Sequence, residues 1–117
     1  LPRMHELSIV ASLFEIMEKK ALEKGSKKIV SVKLQIGKLS GVVPEFLFSA
    51  FEMYKKDTIA RDAELEIEEV PLTIRCKTCG KTMTKKDFVF ICQHCGSQDL
   101  ETLSGTELVL EKMELDI

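Results

Sequence analysis

The sequence predicts an α/β (α+β) protein in which two helices cover a three-stranded mixed sheet and a small four-cysteine module is inserted between the second and third strands. Three observations carry this. Segments 8–24 and 44–54 repeat apolar residues at helical spacing; three other segments alternate apolar and polar residues, as strands with one covered face do; and all four cysteines fall in one stretch, 75–103.

In the first helix Val10, Leu13, Phe14, Met17 and Ala21 share a face, Ser12, Glu15, Lys19 and Glu23 take the other, and Gly25 ends the segment. The first strand follows, with Val30, Val32, Leu34 and Ile36 expected on the core side and Ser31, Lys33 and Gln35 toward solvent. Gly37 and Gly41 bracket a turn. Pro44 suits the first turn of the second helix, whose Phe46, Leu47, Ala50, Phe51 and Tyr54 recur on one side.

The second strand alternates Leu65 and Ile67 with Glu64, Glu66 and Glu68, then changes parity to Val70, Leu72 and Ile74 around Pro71, which reads as an edge strand with a bulge. The last strand changes parity too, from Leu108 and Leu110 to Met113, Leu115 and Ile117. The two irregular strands are expected to be neighbours. Between them, 75–103 has only one short apolar run, Phe88 to Ile91, read as a strand, and cannot build a core alone.

Composition bounds the function. With 117 residues, 44% apolar and 31% charged, the chain is a folded domain with room for one small module. No apolar run is long enough to span a bilayer and no signal-peptide pattern opens the chain, so a cytoplasmic protein is expected. A net charge of -2 gives no general attraction for nucleic acid. Leu1, Pro2 and Arg3 precede a methionine that reads as the natural start, so 1–3 is read as a cloning or cleavage leader.

The cysteines carry the strongest chemical signal. Cys76-Lys77-Thr78-Cys79-Gly80 and, twelve residues later, Cys92-Gln93-His94-Cys95-Gly96 are two knuckles of equal length. Two intervening residues let both thiolates of a knuckle face one ion, and this spacing reads as a zinc ribbon with a closed, structural four-sulfur site. Two disulfides do not suit a reducing compartment, and a redox pair needs one such motif at a helix start. Arg75, Lys77, Lys81, Lys85 and Lys86 form a basic run around the first knuckle. It keeps open an alternative as a nucleic-acid-binding or protein-docking ribbon, although a tetrathiolate zinc with Asp87, Asp99 and Glu101 nearby favours a merely solvated face.

Met4-His5-Glu6-Leu7-Ser8 sets an imidazole and a carboxylate beside backbone nitrogens at the mouth of the first helix. Nickel(II) and copper(II) accept such ligands in a plane. Taken alone, a histidine there is a solvated residue and Glu6 a complement to the helix dipole.

The ordered set of motifs is more specific: Met4-His5-Glu6-Leu7-Ser8; Gly37-Lys38-Leu39-Ser40-Gly41-Val42-Val43-Pro44-Glu45; Ala63-Glu64-Leu65-Glu66-Ile67; the two knuckles; and Gly105-Thr106-Glu107-Leu108. From Met4 to Ile117 this resembles the HypA/HybF hydrogenase maturation family. The resemblance implies a nickel metallochaperone, not an enzyme, that helps insert nickel(II) into the large subunit of nickel-iron hydrogenase with a GTPase partner, and in some bacteria serves urease. It maps nickel onto His5, with Glu6 and the backbone nitrogens of Met4 and His5 in support, and zinc onto Cys76, Cys79, Cys92 and Cys95. It divides the chain into a nickel-binding domain (4–74 and 104–117) and the ribbon (75–103). No catalytic residue, nucleic acid or membrane is implied. His94 stands where similar proteins often carry proline and is read as a loop residue. The sequence leaves a homodimer, including one made by swapping the ribbon, open.

Overall fold

The computed structural model describes residues 4–116; residues 1–3, expected from the sequence to be a leader, and Ile117 lie outside the described residues. Helix α1 (Met4–Glu23) is followed by strand β1 (Lys28–Gly37), helix α2 (Pro44–Tyr54), a short 3-10 turn, and strands β2 (Glu64–Val70), β3 (Leu72–Cys76), β4 (Thr82–Lys85), β5 (Leu100–Ser104) and β6 (Leu108–Asp116). Two three-stranded sheets result, ordered β2-β1-β6 and β4-β3-β5. The first is the expected mixed sheet: β2 runs parallel to β1 and β6 antiparallel. The second is antiparallel and belongs to the cysteine module.

Both helices cover one face of the first sheet. Val10, Phe14, Met17 and Ala21 of α1 and Leu47, Ala50 and Phe51 of α2 meet Val32, Leu34 and Ile36 of β1, all buried. Phe14 anchors the contact, with its ring centroid 5.2 Å from that of Phe51 and 4.7 Å from that of Tyr54. The helical period thus delivers the layer the sequence predicts. The uncovered face is polar. There the Lys33 ammonium lies 3.6, 3.3 and 3.4 Å from the carboxylates of Glu66, Glu68 and Glu111, and its pKa is raised, first by the hydrogen bond to Glu68 and then by the charge of Glu111.

Several expectations are corrected. Helix α1 begins at Met4 rather than Ser8, so the pentapeptide forms its first turn. In β1 the buried residue is Ile29, while Val30 is exposed: the pairing with β6 skips a residue between Ile29 and Ser31, and this bulge reverses the parity at the start of the strand. The parity change expected in β6 is present, opposite Lys33 and Leu34. The second irregular strand, however, is two strands. At Pro71 the ladder stops and β3 enters the other sheet. Nor are the irregular strands neighbours, because β1, apolar on its covered face and paired along both edges, lies between them.

Both ends of the inserted module leave the first sheet beside Gly37. Val70 pairs with Gly37 and Leu108 with Ile36. The Gly37 N–H donates to the Glu107 carbonyl (2.7 Å), the Lys38 N–H to the Val70 carbonyl (3.0 Å) and the Leu39 N–H to the Gly105 carbonyl (2.6 Å). The chains pass so closely that a methyl group on Gly37 would overlap the Gly105 carbonyl, and one on Gly105 would lie 2.8 Å from Leu72 Cα. Gly37 has an ordinary backbone conformation, so close approach alone requires glycine there. Gly37→Ala should therefore lower stability by about 3 kcal/mol in urea unfolding; a loss within about 0.5 kcal/mol would show that the junction yields.

Candidate metal centre

The module is built as two matching turns. At the end of β3, the Gly80 N–H donates to the Cys76 carbonyl (2.8 Å), the Cys76 N–H to the Lys81 carbonyl (2.9 Å) and the Cys79 N–H to Cys76 Sγ (3.4 Å). Before β5 the pattern repeats: Gly96 N–H to the Cys92 carbonyl (2.9 Å), Cys92 N–H to the Ser97 carbonyl (2.8 Å) and Cys95 N–H to Cys92 Sγ (3.4 Å). The two turns are held together by a hydroxyl pair, Thr78 Oγ1 to Ser97 Oγ at 2.9 Å, and by the Lys77 N–H donating to the Asp99 carbonyl (2.9 Å).

This geometry gathers the four sulfurs within 4.8 Å of one another. Cys76 Sγ lies 3.6 Å from Cys95 Sγ, and Cys79 Sγ 3.7 Å from Cys92 Sγ. A tetrahedral ion with metal–sulfur bonds of about 2.3 Å has sulfur–sulfur edges of about 3.8 Å, whereas a disulfide needs about 2.05 Å. The donor set fits a four-coordinate thiolate site.

Its electrostatics divide the four thiols into two pairs. The Cys79 N–H, with that of Thr78, lowers the Cys76 thiol to about 6, and the Cys95 N–H lowers Cys92 in the same way. The second cysteine of each knuckle is different. The Ser97 N–H favours the Cys95 thiolate, but desolvation and the neighbouring sulfurs outweigh it and push the thiol up to about 12; Cys79, favoured by the Lys81 N–H, is raised for the same reasons. Four anionic sulfurs so close together need a positive ion between them. Cys76 and Cys92 are buried, Cys79 is half-buried and Cys95 exposed.

The other expected site residues lie on α1. His5 is 58% exposed in its side chain, and its Nδ1 is 3.8 Å from Glu6 Oε2. Glu6 is fully buried, and Oε2 accepts the Val43 N–H at 3.2 Å. Val43 is the N-cap residue of α2 and offers no side-chain cap, so the carboxylate sits at the positive end of that helix. This bridge between α1 and α2 is invisible to spacing rules, because its partner is 37 residues away. Met4 opens the same helical turn. His94 is exposed at the tip of the second knuckle and is not one of the four clustered ligands.

The basic run around the first knuckle is smaller than the sequence suggests. Arg75 is paired with Glu101, and Lys85 is buried with its ammonium 3.4 Å from Asp87 Oδ1. The strand expected at Phe88 to Ile91 is absent. Asp87 Oδ1 accepts the Val89 N–H (3.1 Å) and turns the chain out of the sheet, both edges of β3 being occupied, so these four side chains are 57, 55, 42 and 41% exposed.

Residues 4–115 match the family described as "Hydrogenase/urease nickel incorporation, metallochaperone, hypA". The chain is similar to the hydrogenase maturation factor HypA of Aquifex aeolicus (40% identical over 114 residues, 97% of this chain and 99% of that one) and to that of Synechococcus elongatus (42% identical over 112 residues, covering 96% and 99%). Its structure is similar to a solution structure of a HypA protein (TM-score 0.72, 29% identity, 97% of each chain) and to that of the nickel metallochaperone HypA from Helicobacter pylori (TM-score 0.66, 28% identity, 94% and 96%). One metal ion per chain is expected in the cysteine cluster. Metal-free protein titrated with cobalt(II) should develop the strong visible absorption of a tetrahedral thiolate complex, saturating at one equivalent, and Cys76→Ser should weaken binding about 100-fold or more. Weak octahedral colour would refute the four-sulfur site.

Proposed function

The chain belongs to the HypA family of hydrogenase/urease nickel-incorporation metallochaperones, and from that membership we propose that it carries nickel(II) and helps deliver it to the large subunit of nickel-iron hydrogenase in the cytoplasm. The carrying residue is His5, supported by Glu6 and the backbone nitrogens of Met4 and His5. The observation that carries this reading is the pairing of an exposed imidazole with a carboxylate 3.8 Å away in the first helical turn. A planar set of imidazole and amide nitrogens suits nickel(II) better than zinc(II). An incomplete protein shell at the surface leaves room for a recipient's ligands, which a carrier needs in order to release its cargo.

Residues 4–74 and 104–117 form the nickel-handling part in this proposal, and 75–103 a zinc-stapled docking part. Zinc(II) held by Cys76, Cys79, Cys92 and Cys95 supplies rigidity and no catalysis, so the protein acts as an accessory factor and not as an enzyme. Its partners are the hydrogenase large subunit and a nickel-handling GTPase, with urease accessory proteins as further recipients. The exposed apolar run Phe88 to Ile91 supports protein docking by the ribbon over nucleic-acid binding, as does the loss of Arg75 and Lys85 to internal ion pairs.

Calorimetric titration with nickel(II) tests the proposal. The chain should bind with the visible bands of planar nickel, His5→Ala should weaken binding about 100-fold or more, and Glu6→Gln about tenfold. If His5→Ala leaves the isotherm unchanged, nickel is not held at His5 and the ribbon's docking role becomes the better account.

A further inference from the structure

The cations of this chain are not spread evenly. Its net charge is -2, yet residues 19–28 hold five lysines and one acid, and residues 55–62 hold three cations and two acids. The first segment ends α1 and enters β1; the second follows α2 and contains the short 3-10 turn Lys55–Asp57. Both lie at the end of the first sheet away from the cysteine module, because β1 runs from Lys28 to Gly37, about 30 Å at about 3.3 Å per residue.

The fold fastens the two segments side by side. The Ile29 N–H donates to the Ile59 carbonyl (2.9 Å). Ser26 Oγ, buried, lies 2.9 Å from the Lys28 carbonyl and 2.8 Å from the Asp116 carbonyl, which ties the first turn to the end of β6. Thr58 Oγ1 donates to the Lys55 carbonyl (2.8 Å) and accepts the Ala60 N–H (3.1 Å), which closes the second turn. Between them opens a cleft of about 520 Å³ bordered by Lys27, Lys28, Lys56 and Arg61, with Asp57 and Asp62 on the same walls. A second cleft of about 410 Å³ continues from it, sharing Lys27, Asp57, Thr58 and Ile59 and reaching Leu22.

The side chains facing this groove decide what it can hold. Lys28 reaches only Asp62, at 4.0 Å, and among the described residues Lys27, Lys56 and Arg61 have no carboxylate within that distance. Leu22 is 79% exposed, more than any other large apolar side chain among the described residues. A single leucine on a surface is ordinary. This one stands at the end of a groove that Ile59, half-buried, also lines. A phosphate group would use neither Leu22 nor Ile59, and its concentrated charge would lie beside Asp57 and Asp62. The hydroxyls of Ser26 and Thr58 are already engaged by backbone groups. An extended peptide instead spreads its carboxylates along the groove, sets each against a separate cation, and seats an apolar side chain beside Leu22.

We propose that this groove docks an extended acidic segment of a partner protein, its carboxylates against Lys27, Lys56 and Arg61 and an apolar side chain against Leu22 and Ile59. The site is a handle. α1 is 20 residues long, about 30 Å, so His5 and the root of the ribbon lie at the opposite end and stay uncovered while the chain is held. Docking here does not depend on whether His5 binds nickel.

Amide chemical shifts of the full chain, titrated with a capped synthetic peptide of three Glu-Asp-Leu repeats, test this. Saturable shifts are expected at residues 26–28 and 56–62 and not in the ribbon, and the matching peptide of Gln-Asn-Leu repeats should bind about tenfold more weakly or worse. Lys56→Glu combined with Arg61→Glu should weaken binding about tenfold or more, and Leu22→Ser about threefold. Lys77→Glu combined with Lys81→Glu, an equal change of charge on the ribbon, should leave affinity within about twofold, since those lysines lie well beyond a Debye length from the groove. All five positions are exposed, circular dichroism reports folding, and the shifts of the unaltered chain need no variant. Absence of saturable shifts, equal shifts around Lys77 and Lys81, undiminished binding of the Gln-Asn-Leu peptide, or equal losses in the two double variants would each overturn the proposal. So would tighter binding of inorganic pyrophosphate than of the peptide in the groove, which would make it a phosphate site.

Discussion

The gathering of four sulfurs within 4.8 Å of one another, two of them drawn toward the thiolate form, is the constraint on which the outer half of the molecule depends. The second sheet buries little besides Leu72, Ile74, Cys76, Cys92 and the stem of Lys85, far less than the helix-covered layer of the first sheet. So few apolar side chains cannot offset the entropy of ordering its strands and knuckles. A cation that binds all four thiolates converts repulsion into a tetrahedral centre and takes the place of a hydrophobic core. The backbone prepares for this asymmetrically: in each knuckle the first cysteine is held toward its thiolate form by an amide from the second, which itself resists ionisation.

The inner half has an ordinary apolar core and a different weak point, the crossing beside Gly37. Three backbone hydrogen bonds from residues 37–39 reach the entering and leaving chains of the insertion, and side chains are excluded from the gap between Gly37 and Gly105. The Gly105 N–H is in turn held by the Glu107 carboxylate at 2.7 Å, and the Ser104 hydroxyl donates to the Pro71 carbonyl at 3.0 Å. Residues 37–43 therefore touch the module at one end and, through Val43, the buried Glu6 at the other. The first turn of α1, where the nickel proposal rests, and the root of the ribbon are separated by one short loop.

Sequence and structure agree where a signal is periodic or chemically unusual. The two helices, the faces of β1 from Ser31 to Ile36, the parity change in β6 and the two knuckles read correctly because each depends on spacing within one element. Disagreements arise where the deciding contact is remote. Ile29 and Val30 are equally apolar, and only the pairing with Leu115 and Glu114 decides which is buried. Pro71 marks an irregularity, but whether the chain bulges or changes sheets depends on β5 and β4, which follow it. Glu6 looks like a surface acid until α2 brings Val43 against it. Phe88 to Ile91 has strand composition and no open place beside β3. The ligand set proposed at His5 has no comparable spacing rule, and only family resemblance gives it content.

The placement of both insertion ends beside one strand end has a further consequence, in the entropy of the unfolded loop. Val70 and Leu108 pair with adjacent residues of β1 on its two sides, so the chain between them returns to within two strand spacings of where it left. A disordered segment of about 37 residues can span such a gap without tension, and because closure entropy grows only with the logarithm of length, each doubling costs about 0.6 kcal/mol. To the inner sheet, an ordered ribbon and a molten one are nearly the same constraint. The two halves can thus order, melt and vary in sequence on separate energy scales, while remaining parts of one chain.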